Sequence, residues 1–294
     1  MRPRDALPAA VVLLAAAAAG CGDGASKGSE AFTKPSPTVA WTYEGLGADA
    51  WAARLSDPDP AARADAAAAL ASLGPAGAEK AESLRPLFAD RHASVRFAAL
   101  MAVQRLDDVP ASLAADAVGR LADEVEGVRR LARAVAVTLG EKAVPALRAL
   151  LASKDEASRR AALGVLAALK GAAAEAVPDL ETLLRAEDAA VQDDAADTLA
   201  AIGAPALPAL RRALADPRDD VATAAAIVLG RLGADASEAA DDLATAAHRG
   251  PVRRVAVDAL THLGPVGRTV LERLAKDPDE RLRAAASDAL APPH

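Results

Sequence analysis

The stretch Val144–Leu169, VPALRALLASKDEASRRAALGVLAAL, decides the fold. Pro145 suits the first turn of a helix, where its missing N–H costs nothing. Leu147, Leu150 and Leu151 then fall on one face of that helix. A short polar turn follows, and a second helix starts near Arg159, with Ala162, Leu166 and Leu169 three, seven and ten positions further on. The segment reads as a helical hairpin, with a first helix A and a second helix B.

Working outward, the same hairpin recurs eight times from about residue 47 to the end. The register residues are Arg63, Arg96, Arg129, Arg159, Gln192, Ala222, Arg253 and Arg283, with steps of 33, 33, 30, 33, 30, 31 and 30 residues. Three positions after each stands an alanine: Ala66, Ala99, Ala132, Ala162, Ala195, Ala225, Ala256 and Ala286. Pro178 and Pro208 repeat the role of Pro145. Turns such as Asp57-Pro58-Asp59-Pro60 and Lys276-Asp277-Pro278-Asp279-Glu280 stop helix A and cap helix B. Gly74, Gly140, Gly203, Gly233 and Gly264, eleven positions after the register residue, are expected to end helix B in a left-handed conformation. A fixed period of this length indicates a solenoid of stacked helical units, and such proteins usually serve as binding surfaces.

Composition agrees. The chain of 294 residues is 52% hydrophobic but only 2% aromatic, with alanine, the best helix former, supplying most of the apolar content. No segment reads as a strand, so the expected class is all-α. The formal charge of −7 opposes sequence-independent binding to nucleic acid or anionic lipid.

This pattern resembles the HEAT-repeat family, and in particular the short HEAT-like repeats of phycocyanobilin lyases and many bacterial proteins. The resemblance implies a right-handed α-solenoid of about eight helix pairs over residues 47–294, with helix B lining the concave side. In that family an aspartate six residues before the arginine helps link adjacent repeats. Here the pairs are Asp57/Arg63, Asp90/Arg96, Asp123/Arg129 and Asp277/Arg283. Gln192, Ala222 and Arg249 depart from the pattern, so the ladder is expected to lapse in the middle.

The N-terminus has its own character. Arg2 and Arg4 precede an apolar run over residues 6–20, which is short of the roughly 20 residues a membrane span needs and reads as a signal peptide over 1–20. Ala18-Ala19-Gly20-Cys21 resembles the lipobox of bacterial lipoproteins. The resemblance implies cleavage before Cys21, its lipidation, and a place in the bacterial cell envelope with the lipid as the only membrane contact. Gly22 in place of aspartate points to the periplasmic side of the outer membrane by the same resemblance. Residues 21–46 then form a lipidated tether, rich in Gly, Ser, Pro and Thr over 22–40. Trp41, Tyr43 and Trp51 are half of the chain's aromatics. They either cap the first repeat, whose outer face has no neighbour, or form a contact site.

Signatures of chemistry are missing. There is no phosphate-binding glycine loop, no nucleophile elbow, and no histidine followed by glutamate or aspartate. The last point separates the chain from the deoxyhypusine hydroxylases, HEAT-like enzymes that carry iron on His-Glu pairs. No catalytic residue, metal or cofactor is expected. Charge is more informative. Arg129, Arg130 and Arg133 in one repeat and Arg159 and Arg160 in the next face an acidic group, Asp193, Asp194 and Asp197, further along. One arginine per repeat in fixed register reads as stacking, and scattered carboxylates read as a solvated face. The sharper expectation is a groove, basic in its N-terminal half and acidic in its middle, holding a partner through Arg130, Arg133, Arg160, Asp193 and Asp197.

The leading reading is a non-catalytic, lipid-anchored envelope scaffold for a protein or peptide. The alternative is a bilin-lyase-like enzyme or chaperone acting on a tetrapyrrole. Nucleic-acid binding, as in HEAT-like DNA glycosylases, is disfavoured by the acidic charge and few aromatics.

Overall fold

A computed structural model describes residues 42–291. The signal-peptide segment 1–20, Cys21, most of the tether and Trp41 lie outside the described residues.

Eight helix pairs stack in two layers. The chain runs through α1 (Ala48–Arg54), α2 (Pro60–Ser72), the single turn α3 (Gly74–Ala78) and a 3-10 segment (Ala81–Ala89). It continues through α4 (Ala93–Val103), α5 (Ala111–Gly119), α6 (Glu126–Leu139), α7 (Val144–Leu151), α8 (Glu156–Leu169) and α9 (Val177–Leu183). It ends with α10 (Ala189–Ile202), α11 (Leu207–Leu214), α12 (Asp219–Leu232), α13 (Ala240–Ala246), α14 (Gly250–His262), α15 (Gly264–Leu274) and α16 (Glu280–Leu290). The even-numbered helices from α2 to α16 are the B helices, each packed on the next. The odd-numbered helices, with Ala81–Ala89 in place of one, form the A layer. The protein is an all-α solenoid.

Every B helix begins three residues before its register residue. The turn chemistry sets that start. Asp59, Asp155, Asp188 and Asp279 stand at N-cap positions and accept backbone N–H groups of the first turn, as from Ala61 at 3.0 Å and Ala190 at 2.9 Å. The eight register alanines are all fully buried. Their small side chains let B helices approach closely, and Gly230 takes this furthest, since a Cβ there would lie 3.1 Å from Ala259 Cα. The first repeat closes on an aromatic lid. Trp51 is buried, its Nε1 donates to the Tyr43 carbonyl at 3.1 Å, and the two rings meet edge to face at 6.0 Å.

The helix-ending glycines do take positive φ, between 54° and 82°. Their ψ corrects the expectation. Gly140, Gly203 and Gly233 have ψ of −130°, −139° and −132°, so the chain does not form a left-handed helical cap; it reverses sharply into the next 3-10 turn. Lys170 holds the same position after α8 without being glycine, at φ 53° and ψ −133°. A side chain there is strained, by about 1–3 kcal/mol at such positions. Lys170→Gly is therefore expected to raise the unfolding free energy by about 1 kcal/mol in urea titration. An unchanged or lower midpoint would show that the strain is relieved elsewhere.

Candidate binding surface

The functional face emerges once the structural arginines are set aside. Arg63 donates through Nε and Nη2 to the Asp90 carboxylate at 2.7 and 3.0 Å, and through Nη1 to the Asp57 carbonyl at 2.7 Å. Arg96 does the same one repeat on, to the Asp123 carboxylate at 2.7 Å through both nitrogens and to the Asp90 carbonyl at 2.8 Å. Each guanidinium thus ties its own turn's backbone to the next repeat's carboxylate. Burial pushes Asp90 and Asp123 up. Hydrogen bonds outweigh it, from His92 and Arg63 to the first and from Arg96 and the Val125 N–H to the second, and both carboxyls are held below the usual aspartate value.

The ladder then lapses. Arg129 and Arg159 reach no carboxylate of the next repeat; they donate back to the turn carbonyls of Asp123 and Ser153, and Arg129 also to Glu126 on its own helix, because the following repeats offer Ser153 and Ala186 where aspartate stood. Gln192 donates to the Leu184 carbonyl, and Ala222 has nothing to donate. Arg253 again reaches the next repeat, but at Asp279, 2.6 Å away, rather than at Asp277, the equivalent of Asp90 and Asp123. The lapse covers the expected departures at Gln192 and Ala222 and starts two repeats earlier.

A second ladder binds the A layer. Arg85 pairs with Asp116, Arg148 with Asp179, and Arg211 with Asp242, each 31 residues on. The three arginines are 63 residues apart, as are the three aspartates, so this ladder repeats every two hairpins. Arg185 to Asp216 and Arg212 to Glu181 reinforce it where the first ladder lapses.

What remains faces outward from the B layer. Each B helix is covered by its A helix on one side and by neighbouring B helices on two others. The exposed stripe lies opposite the A layer. Its positions one and five after the register residue carry Phe97 and Met101 on α4, Arg130 on α6, Arg160 on α8, and Asp193 and Asp197 on α10. The structure therefore brings all five predicted residues, with Arg133, onto three consecutive helices of one face. Their freedom differs. Arg130 is 72% exposed with only Glu126 at 3.7 Å, and Arg133 and Asp193 are exposed without an ion pair among the described residues. Arg160 is shared between Glu156 at 2.9 Å and Asp194 at 3.2 Å, and Asp197 is taken by Arg231.

Two points differ from the sequence reading. The basic region is confined to α6 and α8, since α2 presents Ala64, Asp65 and Ala68. Ahead of it stands an apolar patch that the reading missed, with Phe97 40% and Met101 36% exposed. The signal was there. The other B helices carry charged, small or polar residues one position after the register residue, and only α4 carries an aromatic ring.

Several open clefts mark the surface. A cleft of about 220 Å³ between the ends of α4 and α6 is lined by Val103, Gln104, Val109, Thr138 and Lys142 among others. Among the described residues, no group of three His, Cys, Asp or Glu is placed to hold a metal. His248 instead meets Asp277 at 3.2 Å, and His262 bonds the Asp258 carbonyl. The apolar stretch Glu156–Leu183, long enough to span a membrane by composition, is α8, a 3-10 turn and α9 of the stack.

A family profile for HEAT repeats matches residues 144–230 and 177–261. No curated protein matches the chain in sequence. Among solved structures, human deoxyhypusine hydroxylase in complex with glycerol is 21% identical, with 83% of this chain and 94% of that one covered and a TM-score of 0.33. The complex of CpcE and CpcF of phycocyanin lyase from Nostoc sp. PCC7120 is 20% identical, with 88% and 100% covered and a TM-score of 0.35. Likeness at this level brings no activity to this chain.

Proposed function

We propose that this chain is a non-catalytic scaffold that holds a protein or peptide partner against the exposed face of α4 to α10. One observation carries the reading. The ladder arginines, Arg63, Arg96, Arg85, Arg148 and Arg211 among them, are held by carboxylates, whereas Arg130, Arg133 and Asp193 present charge to solvent on one continuous face without ion pairs of their own beyond the long contact to Glu126. Complementary charge steers and orients a partner. The lipobox resemblance at Cys21 adds tethering by lipid in a bacterial envelope to the proposal.

Crosslinking and pull-down from native envelope, with the wild type and the Arg130→Glu/Arg133→Glu/Arg160→Glu variant in parallel, tests it. The expected result is a protein retained by the wild type and lost from the variant. Equal retention by both overturns the assignment of the face. Retention of nothing by either overturns the scaffold reading, and a visible absorbance band on adding bilin or haem would then favour the tetrapyrrole reading.

A further inference from the structure

We infer that the ligand is an extended peptide with an apolar residue, an acidic residue about three positions from it and a basic residue about nine positions from it on the same side. This rests on the scaffold reading above and gives it a partner of stated chemistry.

The order comes from the stripe. Position one after the register residue reads Phe97, Arg130, Arg160 and Asp193 on the successive helices α4, α6, α8 and α10. Side chains at this level do face one another across helices, as the 3.2 Å contact from Arg160 on α8 to Asp194 on α10 shows. Neighbouring packed helices lie roughly 8–10 Å apart. An extended chain advances roughly 3.3–3.6 Å per residue, so one helix spacing matches about three residues. A peptide crossing the B helices therefore meets the Phe97 ring, then Arg130, then Arg160, then Asp193, at intervals of about three.

The four positions are not equivalent in demand. Phe97 and Met101 are i, i+4 neighbours on α4 and offer a joint apolar platform beside the first contact. Arg130 has only Glu126 at 3.7 Å, which Arg129 also holds, and Arg133 one turn on has no ion pair among the described residues, so the two favour an acid. Arg160 already holds Glu156 and Asp194, so the ligand gains little there. Asp193 has no ion pair among the described residues and demands a base. Apolar, acid, indifferent, base is an ordered pattern, and a peptide with its acid and base exchanged would set like charge against like.

The test uses the full chain and fluorescein-labelled ten-residue peptides, read by anisotropy at low salt. One peptide carries leucine at position 1, glutamate at 4 and lysine at 10 in a polar background. A second has the same composition with lysine at 4 and glutamate at 10. The expected result is at least about tenfold tighter binding of the first. Arg130→Glu should remove that preference, and a peptide with lysine at position 4 should recover binding to that variant. Circular dichroism confirms that the variant remains helical. Equal binding of both orders, or no recovery by the charge swap, overturns the inference. If the pull-down partner is lost from the triple variant while neither peptide binds, the scaffold stands and the extended-peptide mode fails. If neither experiment shows binding, both fail.

Discussion

Asp123→Ala is expected to destabilise the N-terminal repeats by about 3–5 kcal/mol, the cost of leaving a buried charge without its partner. The Asp123 side chain is 2% exposed and that of Arg96, its bidentate donor, 5%. Removing the carboxylate strands the guanidinium in a site closed by α4 and α6, with the Asp90 carbonyl and the exposed Glu124 as its remaining acceptors. Repeat arrays need not unfold in one step, so hydrogen exchange of the α4 and α6 amides is the direct readout. Loss of protection should centre on those helices. The effect should also depend on pH. Asp123 has a lowered folded-state pKa, so its contribution is full above the ordinary aspartate value of 3.8 and drains as the pH falls through the lowered value. The gap between wild type and Asp123→Ala should therefore narrow in acid. A constant gap, or protection unchanged in α4 and α6, would show that the pair contributes little.

Gly267→Ala should destabilise the other end by about 3 kcal/mol, at the upper end for overpacking. A Cβ on Gly267 would lie 2.0 Å from the Leu260 backbone oxygen and 3.0 Å from the Leu263 Cβ. Gly77 repeats the geometry, at 1.9 Å from the Leu70 oxygen, so Gly77→Ala should behave alike. Both belong to a Gly-Pro-x-Gly sequence, residues 74–77 and 264–267. A backbone carbonyl cannot rotate aside as a side chain would, so the helices must separate. Gly164→Ala in the middle of α8 is the contrast. Nothing lies within 4 Å of its Cβ position, and alanine there should stabilise by about 0.5–1 kcal/mol. Urea titration of the three variants gives the comparison. Gly267→Ala matching wild type would mean that α15 shifts at no cost.

The architecture was legible because its causes are local. A proline at a helix start, an alanine at each close approach and an aspartate in most turns act within one hairpin, and repetition makes each visible several times, the alanine in all eight hairpins. The candidate surface was legible in part. Arg130, Arg133, Arg160, Asp193 and Asp197 do share a face, because fixed register implies fixed orientation. Which of them is free was not legible, since the demands of Arg160 and Asp197 are met by Asp194 and Arg231 on other helices. Phe97 was passed over because the reading followed charge and treated apolar residues as core. The contact of Gly267 with Leu260 depends on the angle between helices, which no spacing encodes. The A-layer ladder was open to discovery, as Arg85, Arg148 and Arg211 show once the period sought is doubled.

That doubled period gives the array a parity. Arg85 meets Asp116, and the next arginine in the series, Arg148, meets Asp179. Excising the hairpin between them that carries Asp116 would leave Arg85 opposite Ala146, the residue in the same register one hairpin on, and the pair would be lost. Excising two in succession would bring Asp179 to Arg85 and restore it. For this ladder the smallest interchangeable module is therefore a pair of hairpins rather than one.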